Sequence, residues 1–469
     1  MELKLYNTET REKETVAPWN GSTVKMYTCG PTIYDFAHIG NFRTYVFEDL
    51  LRRTLLFFGM KVDQAMNITD IDDKTMKKAI DLGIPLRDAT EPYRIAFFED
   101  LHRLNIQKVE HYPAATHYIP EMIQMIEELL KKGYAYRSSN GSVYFSIRKF
   151  PSYGRLSHFK LDELKINASG DNEGDEYEKD NISDFVLWKT YDPQRDGQIF
   201  WESPFGKGRP GWHIECSAMA TTLLGDTIDI HCGGVDNLFP HHENEIAQSE
   251  CCTGHRFVHH WLHAEHLLVD HKKMSKSLGN FYTLRDLLKR GYTGPEVRYL
   301  LLSTHYRTQL NFTFAGLDAA RSSLQRIEDL VLRLKNIEGT ESFSAHGLLE
   351  KADLRFKAAL ADDLNISVAL AALFDLIREL NALCDEGKIG KKGAQEVLHL
   401  LAAWDRALGV LPLEKKEEAI PEDLLGFLEK REQARREKNW KVSDQMRDAI
   451  LGRGYLIEDT PTGARLKKK

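Results

Sequence analysis

Four residues far apart in the chain, Cys29, Cys216, His241 and Glu245, are of the types that hold a borderline-soft metal. Two thiolates, an imidazole and a carboxylate suit zinc better than calcium or magnesium. His241 and Glu245 lie four apart in Pro240-His-His-Glu-Asn-Glu245, which on a helix places both on one face and points His242 and Glu243 elsewhere. Cys216 ends Gly211-Trp-His-Ile-Glu-Cys216, and Cys29 follows a strand-like run. Structural zinc sites are usually all Cys and His, often in CxxC pairs, so a dispersed set with a carboxylate points to a working site. Spacing alone leaves His231, Cys232, Cys251 and Cys252 as competing ligands, and nine of the eighteen histidines fall within residues 231–271. An ordinary buried core is the competing reading.

Two further stretches suit a nucleotide. His38-Ile-Gly-Asn41 precedes a helical pattern; a helix starting there aims free N–H groups and a positive dipole end at its loop, Gly40 admits close approach, and His38 can donate to a phosphate. Lys273-Met-Ser-Lys-Ser277, followed by Gly279, makes a loop in which Lys276 can bring a compact positive charge to triphosphate oxygens.

The elements that must position these groups alternate in the first part of the chain. Thr23-Val-Lys-Met-Tyr27 reads as a strand, residues 43–58 as a helix closed by Gly59, and residues 62–68 as a second strand. That order implies a parallel sheet with ligands beyond its carboxyl ends, in the loop 29–41. Between about 115 and 205 the pattern changes to a helix at 120–132, short strands near 142–147 and an acidic, Gly-containing run at 170–180, an insertion splitting the nucleotide fold. Strand signals return at 228–236 and 267–270, and beyond residue 310 the pattern is helical, with seams near 339–344 and 415–421.

Composition bounds the class. A chain of 469 residues holds two or three domains. No apolar run approaches the roughly 18 residues a membrane helix needs, and the first residues lack a secretory pattern, so the expectation is a cytoplasmic protein with no membrane partner. Six dispersed cysteines fit a reducing compartment. The net charge is −7, yet residues 430–469 carry twelve Lys or Arg against six Asp or Glu. This basic end suits a polyanion.

His38-Ile-Gly-Asn41 and Lys273-Met-Ser-Lys-Ser277 resemble, in order, the HIGH and KMSKS motifs of class I aminoacyl-tRNA synthetases, with Asn41 where the general pattern has histidine; asparagine cannot carry charge. Along almost its whole length the chain resembles the cysteinyl-tRNA synthetases, in Tyr27-Thr-Cys-Gly-Pro-Thr-Ile-Tyr-Asp35, Asn67-Ile-Thr-Asp-Ile-Asp-Asp-Lys74, residues 211–217, Gly233-Gly-Val-Asp236, residues 239–249 and residues 273–280. The resemblance implies one zinc held by Cys29, Cys216, His241 and Glu245 and bound directly by the substrate thiol. It further implies Thr69 and Trp212 near the cysteine, and ATP with Mg²⁺ against His38, Gly40, Asn41, Asp236 (at the ribose), Lys273, Ser275 and Lys276, with His38 and Lys276 catalytic.

The implied architecture is α/β: a Rossmann-like catalytic domain over 1–310 with the insertion at about 115–205, a helical tRNA-binding domain of DALR type over 311–412, and a basic anticodon-binding domain over 420–469. The expected reaction joins L-cysteine to cysteine tRNA through cysteinyl-adenylate, in a monomer, with no editing site. Trp440 in the basic end is expected to pack rather than stack on a base. The alternatives are a zinc-dependent cysteine:amino-sugar ligase, whose family lacks the basic end, and an inactive tRNA-binding paralogue.

Overall fold

The computed structural model describes all residues except 159–183, 340–345, 415–421, 454, 461–462 and 469. The acidic run at 170–180 and nearly all of both seams lie outside the described residues. The chain divides into two compact units, Met1–Leu413 and Glu414–Lys469.

The site is built on a four-stranded parallel sheet, ordered Val258–Ala264, Ile228–Gly234, Thr23–Thr28, Lys61–Met66. Val24, Met26, Ile228 and Ile230 are buried, as expected for parallel strands covered on both faces. From Thr23–Thr28 the chain crosses by helix Ile39–Phe57 to Lys61–Met66 on one side, and it later returns to Ile228–Gly234 on the other. Strand order reverses between these two neighbours, so a crevice opens beyond their carboxyl ends. Cys29 and Asp236 follow the two strands that flank it.

Helix Ile39–Phe57 begins four residues before the apolar periodicity that predicts 43–58, because a reciprocal cap at His38 and Asn41 starts it. Arg43 on this helix is buried and donates to the carbonyls of Leu301, Thr304 (2.9 Å) and His305 (2.8 Å). Its charge is thereby solvated by backbone dipoles, and the helix is tied to the segment after helix Gly294–Leu302.

Between Met66 and Ile228 stand helices Asp73–Leu82, Leu86–Arg103 and Ile119–Lys131, and an antiparallel sheet ordered Ala135–Arg137, Val143–Phe145, Phe185–Thr190, Gly208–Pro210. Its core, around Phe145, Phe185 and Trp188, is continuous with Tyr27, Cys29 and Cys216. The two thiols therefore sit where the added layer packs on the parallel sheet.

Strand Leu267–Val269 pairs parallel with Leu310–Phe312 and antiparallel with Lys272–Lys273. The reversal at Asp270 and His271 takes both residues to positive φ, 48° and 61°, and His271 N–H donates to Asn311 Oδ1 at 2.7 Å. This hairpin launches the 273–277 loop. Helices Phe314–Lys335, His346–Ala361, Ile366–Asp385 and Lys391–Leu408 complete the larger unit, and among the described residues no helix is long and apolar enough to cross a membrane.

The smaller unit pairs helices Glu422–Arg436 and Trp440–Gly452 with hairpin Tyr455–Thr460/Gly463–Lys468 around Leu424, Ile450 and Leu466. Trp440 corrects the expectation of packing: it is 61% exposed. It is the first residue of its helix, next to the Asn439 cap, where the side chain precedes the apolar stripe that faces the small core.

Candidate active site and metal centre

Cys29 leaves the end of strand Thr23–Thr28, its N–H bonded to Cys232 O at 3.1 Å. Cys216 lies on the buried second turn of helix Trp212–Leu224. His241 and Glu245 reach the same point by a route that differs from a plain helix. Phe239 is extended (φ −140°, ψ 131°), residues Leu238–His242 form a wide π-type turn, and the α-helix starts at Glu243. His241 Nε2 lies 3.1 Å from Glu245 Oε1. One donor atom from each of Cys29, Cys216, His241 and Glu245 falls within 4.8 Å of the others, all buried.

One expectation is corrected here. The chain kinks at Phe239 and His242 is in ordinary helical conformation (φ −66°, ψ −34°), yet its side chain does not leave the cluster: its Nε2 is 3.3 Å from Cys29 Sγ. Cys29, His231, His242 and Glu245 form a second, overlapping donor set. Glu243 does turn away, accepting from Gly154 N and Ser157 N at 2.8 and 2.9 Å.

Burial governs the charges. It pushes the Cys29 thiol up and Cys216 well up, and lifts the Glu245 carboxyl to about 8. It lowers His241, His231 and His263 to about 3 and takes His242 well below its ordinary value, so these imidazoles are neutral. Each imidazole has a fixed partner: His213 Nδ1 meets His241 Nδ1 at 2.9 Å, His231 Nε2 meets Glu245 Oε2 at 2.9 Å, His242 Nδ1 meets His263 Nε2 at 2.8 Å, and His263 Nδ1 meets Thr8 Oγ1 at 2.8 Å. The His213 bond aims His241 Nε2 at Glu245, the usual way an outer partner orients a ligand. Glu245 Oε1 is buried with no aligned hydrogen-bond donor. Three ionisable donors and an oriented imidazole converging without a cation fit zinc.

Two clefts meet above this cluster. One, about 210 Å³, is lined by Cys29, Thr69, Trp212, Cys216 and His241. Trp212 stacks on His241 with centroids 4.1 Å apart. Thr69 Oγ1 donates to Glu215 Oε2 and accepts from Asn67 Nδ2, each at 3.1 Å. The other, about 330 Å³, is lined by His38, Gly40, Asn41, Asp236 and Lys273. His38 and Asn41 belong to both walls.

At the helix start, His38 Nδ1 accepts from Asn41 N at 3.2 Å and Asn41 Oδ1 accepts from His38 N at 3.1 Å. Asn41 is thus a capping residue. Burial lowers His38 to about 4, so the ring is neutral with its proton on Nε2, which can still donate. A Cβ on Gly40 would lie 2.9 Å from His38 Nδ1 and 3.2 Å from the Met274 methyl. The glycine clears room for the folded-back imidazole before it clears room for any ligand.

Lys276 lines neither cleft wall. Its Nζ is 2.5 Å from Asp35 Oδ2 and 5.1 Å from the Phe281 ring centre. The bond to Asp35 raises the lysine, and although burial pushes the Asp35 carboxyl up, that bond holds it below its ordinary value. Ser275 Oγ meets Ser277 Oγ at 2.9 Å, and Asp236 Oδ1 pairs with His266 Nδ1 at 3.0 Å. Sequence reasoning named neither Asp35 nor the supporting His213 and Glu215, although all three lie within the stretches that carry the resemblance.

A parallel sheet reversing at the nucleotide crevice, with one signature loop at each side, defines a class I aminoacyl-tRNA synthetase. The family described as "tRNA synthetases class I (C) catalytic domain" matches residues 15–322, and the DALR domain matches residues 355–412. The chain is 61% identical to a cysteine–tRNA ligase of Protochlamydia amoebophila over 100% of this chain and 98% of the relative, and 56% identical to one of Chlamydia muridarum over the full length of both. It belongs to the cysteine–tRNA ligase family. Among solved structures, the Mycobacterium tuberculosis methionyl-tRNA synthetase in complex with methionyl-adenylate is 13% identical with a TM-score of 0.59, covering 83% of this chain and 89% of that one, and shares the fold.

Proposed function

We propose that the two clefts join L-cysteine to its cognate tRNA at the expense of ATP, with the thiol read by one zinc ion on Cys29, Cys216, His241 and Glu245. The observation that carries this reading is the convergence of those four donors, of which Cys29, Cys216 and His241 line a small cleft walled by Thr69 and Trp212. Zinc there supplies a Lewis-acidic centre that favours a thiolate over a hydroxyl.

The residues of the chain then divide the work. Trp212 and Thr69 shape the cysteine pocket, while Gly40, Asn41, Asp236, Lys273 and Ser275 hold ATP with its Mg²⁺, Asp236 at the ribose. The cysteine carboxylate attacks the α-phosphorus in line, the bond to the β-phosphate oxygen breaks, and pyrophosphate leaves with the electron pair. His38 Nε2–H and the Lys276 ammonium stabilise the charge that moves onto phosphate oxygens. The terminal ribose hydroxyl of the tRNA next takes the acyl group and AMP departs.

The same reading takes residues 1–310 as catalytic with an insertion at about 115–205, 311–412 as the helical tRNA-binding part and 420–469 as the anticodon-reading end, in a cytoplasmic monomer. The full-length match, basic end included, disfavours the amino-sugar ligase. Cysteine-dependent exchange of pyrophosphate into ATP and charging of cysteine tRNA test the proposal: both should vanish on chelation and return with zinc. Exchange that survives complete zinc removal would overturn it.

A further inference from the structure

From the outer wall of the cysteine cleft, which Tyr34, Asp35, Phe36 and Phe281 help to line, runs a strip in which cations and aromatic rings alternate. Segment 34–36 follows strand Thr23–Thr28, and Tyr93 comes from helix Leu86–Arg103. Phe36, 39% exposed, meets Tyr93 edge-on at 5.2 Å between centroids. The Arg285 guanidinium lies 5.2 Å from the Phe36 ring, Lys78 Nζ 4.0 Å from Tyr93, and Lys74 Nζ 5.4 Å from Tyr34. Lys78 also donates to Tyr34 O at 2.8 Å, so the strip is held in place and not merely crowded. Its inner end continues through Asp35 and Lys276 to Phe281, whose ring centre is 5.2 Å from that of His38.

The acidic groups nearby are already engaged. Asp35 faces Lys276, Glu99 accepts from Arg285 at 2.7 Å, and Asp73 faces Lys189 and Arg209. An outward-facing aromatic ring bracketed by cations, with neighbouring carboxylates neutralised, is complementary to an unpaired, phosphate-linked chain of bases. Each base has a face that stacks on an aromatic ring, and each phosphate meets an ammonium or guanidinium.

We propose that this strip seats the single-stranded 3′ end of the tRNA as it enters the site, with Phe36 stacking an unpaired base and Lys74 and Arg285 beside the phosphates. This rests on the proposed function, whose second step needs a terminal ribose hydroxyl delivered to the adenylate. Phe36 is a positioning residue for that delivery: its ring is on the exposed outer wall of the cleft, away from the metal donors, and in this proposal it has no part in cysteine activation.

The test uses the full-length zinc-loaded chain, with Phe36→Ala, Phe36→Trp and Lys74→Ala variants. Single-turnover transfer from preformed cysteinyl-adenylate to tRNA should fall about tenfold in Phe36→Ala, within the range for one base stacked on one aromatic ring, and should return in Phe36→Trp. Lys74→Ala should weaken tRNA binding and flatten its salt dependence. Pyrophosphate exchange should stay within about twofold of wild type in all three, an allowance for substitutions at exposed sites. Unchanged transfer in Phe36→Ala, or exchange that falls in step with transfer, would overturn the proposal. Absence of exchange in the unaltered protein would instead overturn the proposed function.

Discussion

Zinc uptake should release three protons near neutral pH, and the number follows from the geometry. In the metal-free site burial holds Cys29 and Cys216 as thiols and Glu245, at about 8, as an acid, while His241, at about 3, is already neutral. Metal binding requires two thiolates, a carboxylate and a neutral imidazole, so at pH 7 both thiols and Glu245 lose a proton and His241 loses none. Each proton adds about 1.4 kcal/mol per pH unit to the binding free energy, and three make about 4 kcal/mol, or about a thousandfold in Kd per unit. The sign is fixed: affinity rises with pH below about 8, where the slope drops as Glu245 ionises in the free protein. Chelator competition at several pH values between about 6.5 and 8.5, with calorimetry in buffers of different ionisation enthalpy, counts the protons. The overlapping set Cys29, His231, His242 and Glu245 holds one thiol fewer and would release two. A count of two therefore moves the metal to that set, and a count near zero would refute the claim that burial keeps the thiols protonated.

Lys276→Ala should slow adenylate formation by about 10²- to 10³-fold, the cost of losing one donor to developing charge, read by pyrophosphate exchange; charging that falls while exchange is untouched would reject the assignment. Asp35→Asn should act in the opposite direction on binding. Its carboxylate competes with ATP for Lys276, the two side chains are 32% and 63% exposed, and an exposed pair of this kind is worth about 0.2–1 kcal/mol. The ATP Kd should thus fall by up to about fivefold, and a rise would show that Asp35 helps bind ATP. Glu48 is fully buried in helix Ile39–Phe57 with neither carboxyl oxygen hydrogen-bonded, and burial raises its pKa well above the ordinary value. Because the folded state retains a proton the unfolded state loses, its contribution to stability worsens by about 1.4 kcal/mol per pH unit above about 4.5 for as long as that proton is held. Glu48→Met should therefore gain on wild type as pH rises through that window in chemical unfolding; a pH-independent difference would mean that Glu48 is ionised in the fold.

The sheet and the signature loops were readable because each rests on local rules, whereas spacing left the metal donors among competing cysteines and histidines and only the resemblance singled out the four. A β-loop-α-β order forces a parallel crevice, and small residues mark the loops. What escaped the sequence depends on a departure from regular geometry or on distant pairing. His242 joins the cluster through Cys29, 213 residues away in the chain, after a kink at extended Phe239 sets the direction of helix Glu243–Thr253. Asp35 meets Lys276 across 241 residues of chain. The role of Asn41 was hidden by the choice of question: as a catalytic position it looked deficient, whereas as the third residue of a helix it satisfies the His38 N–H. Trp440 escaped because an aromatic residue in a helical pattern reads as core, and only its place in the first turn exposes it.

The same departures explain how a buried anionic site is tolerated. With the proposed zinc in place, two thiolates and a carboxylate around a dication would leave one net negative charge, and a substrate thiolate would add another, in surroundings where unpaired charge is costly. Protonated lysines or arginines could neutralise it, but they would also compete with zinc for the ligands. Neutral imidazoles avoid that conflict: His242 stands at Cys29 and His231 at Glu245, each able to present an N–H dipole to an anionic ligand without carrying a charge of its own. Burial that lowers their pKa is therefore what suits them to the task. A hydroxyl substrate would have to surrender a proton far more tightly held than a thiol's to enter the same field, so on this reading discrimination against serine would arise from acidity as well as from ligand softness. An apolar pocket alone separates such near-isosteres by only about 1–3 kcal/mol, so on the proposed reading the zinc cluster beneath Trp212 would make a second, hydrolytic site unnecessary.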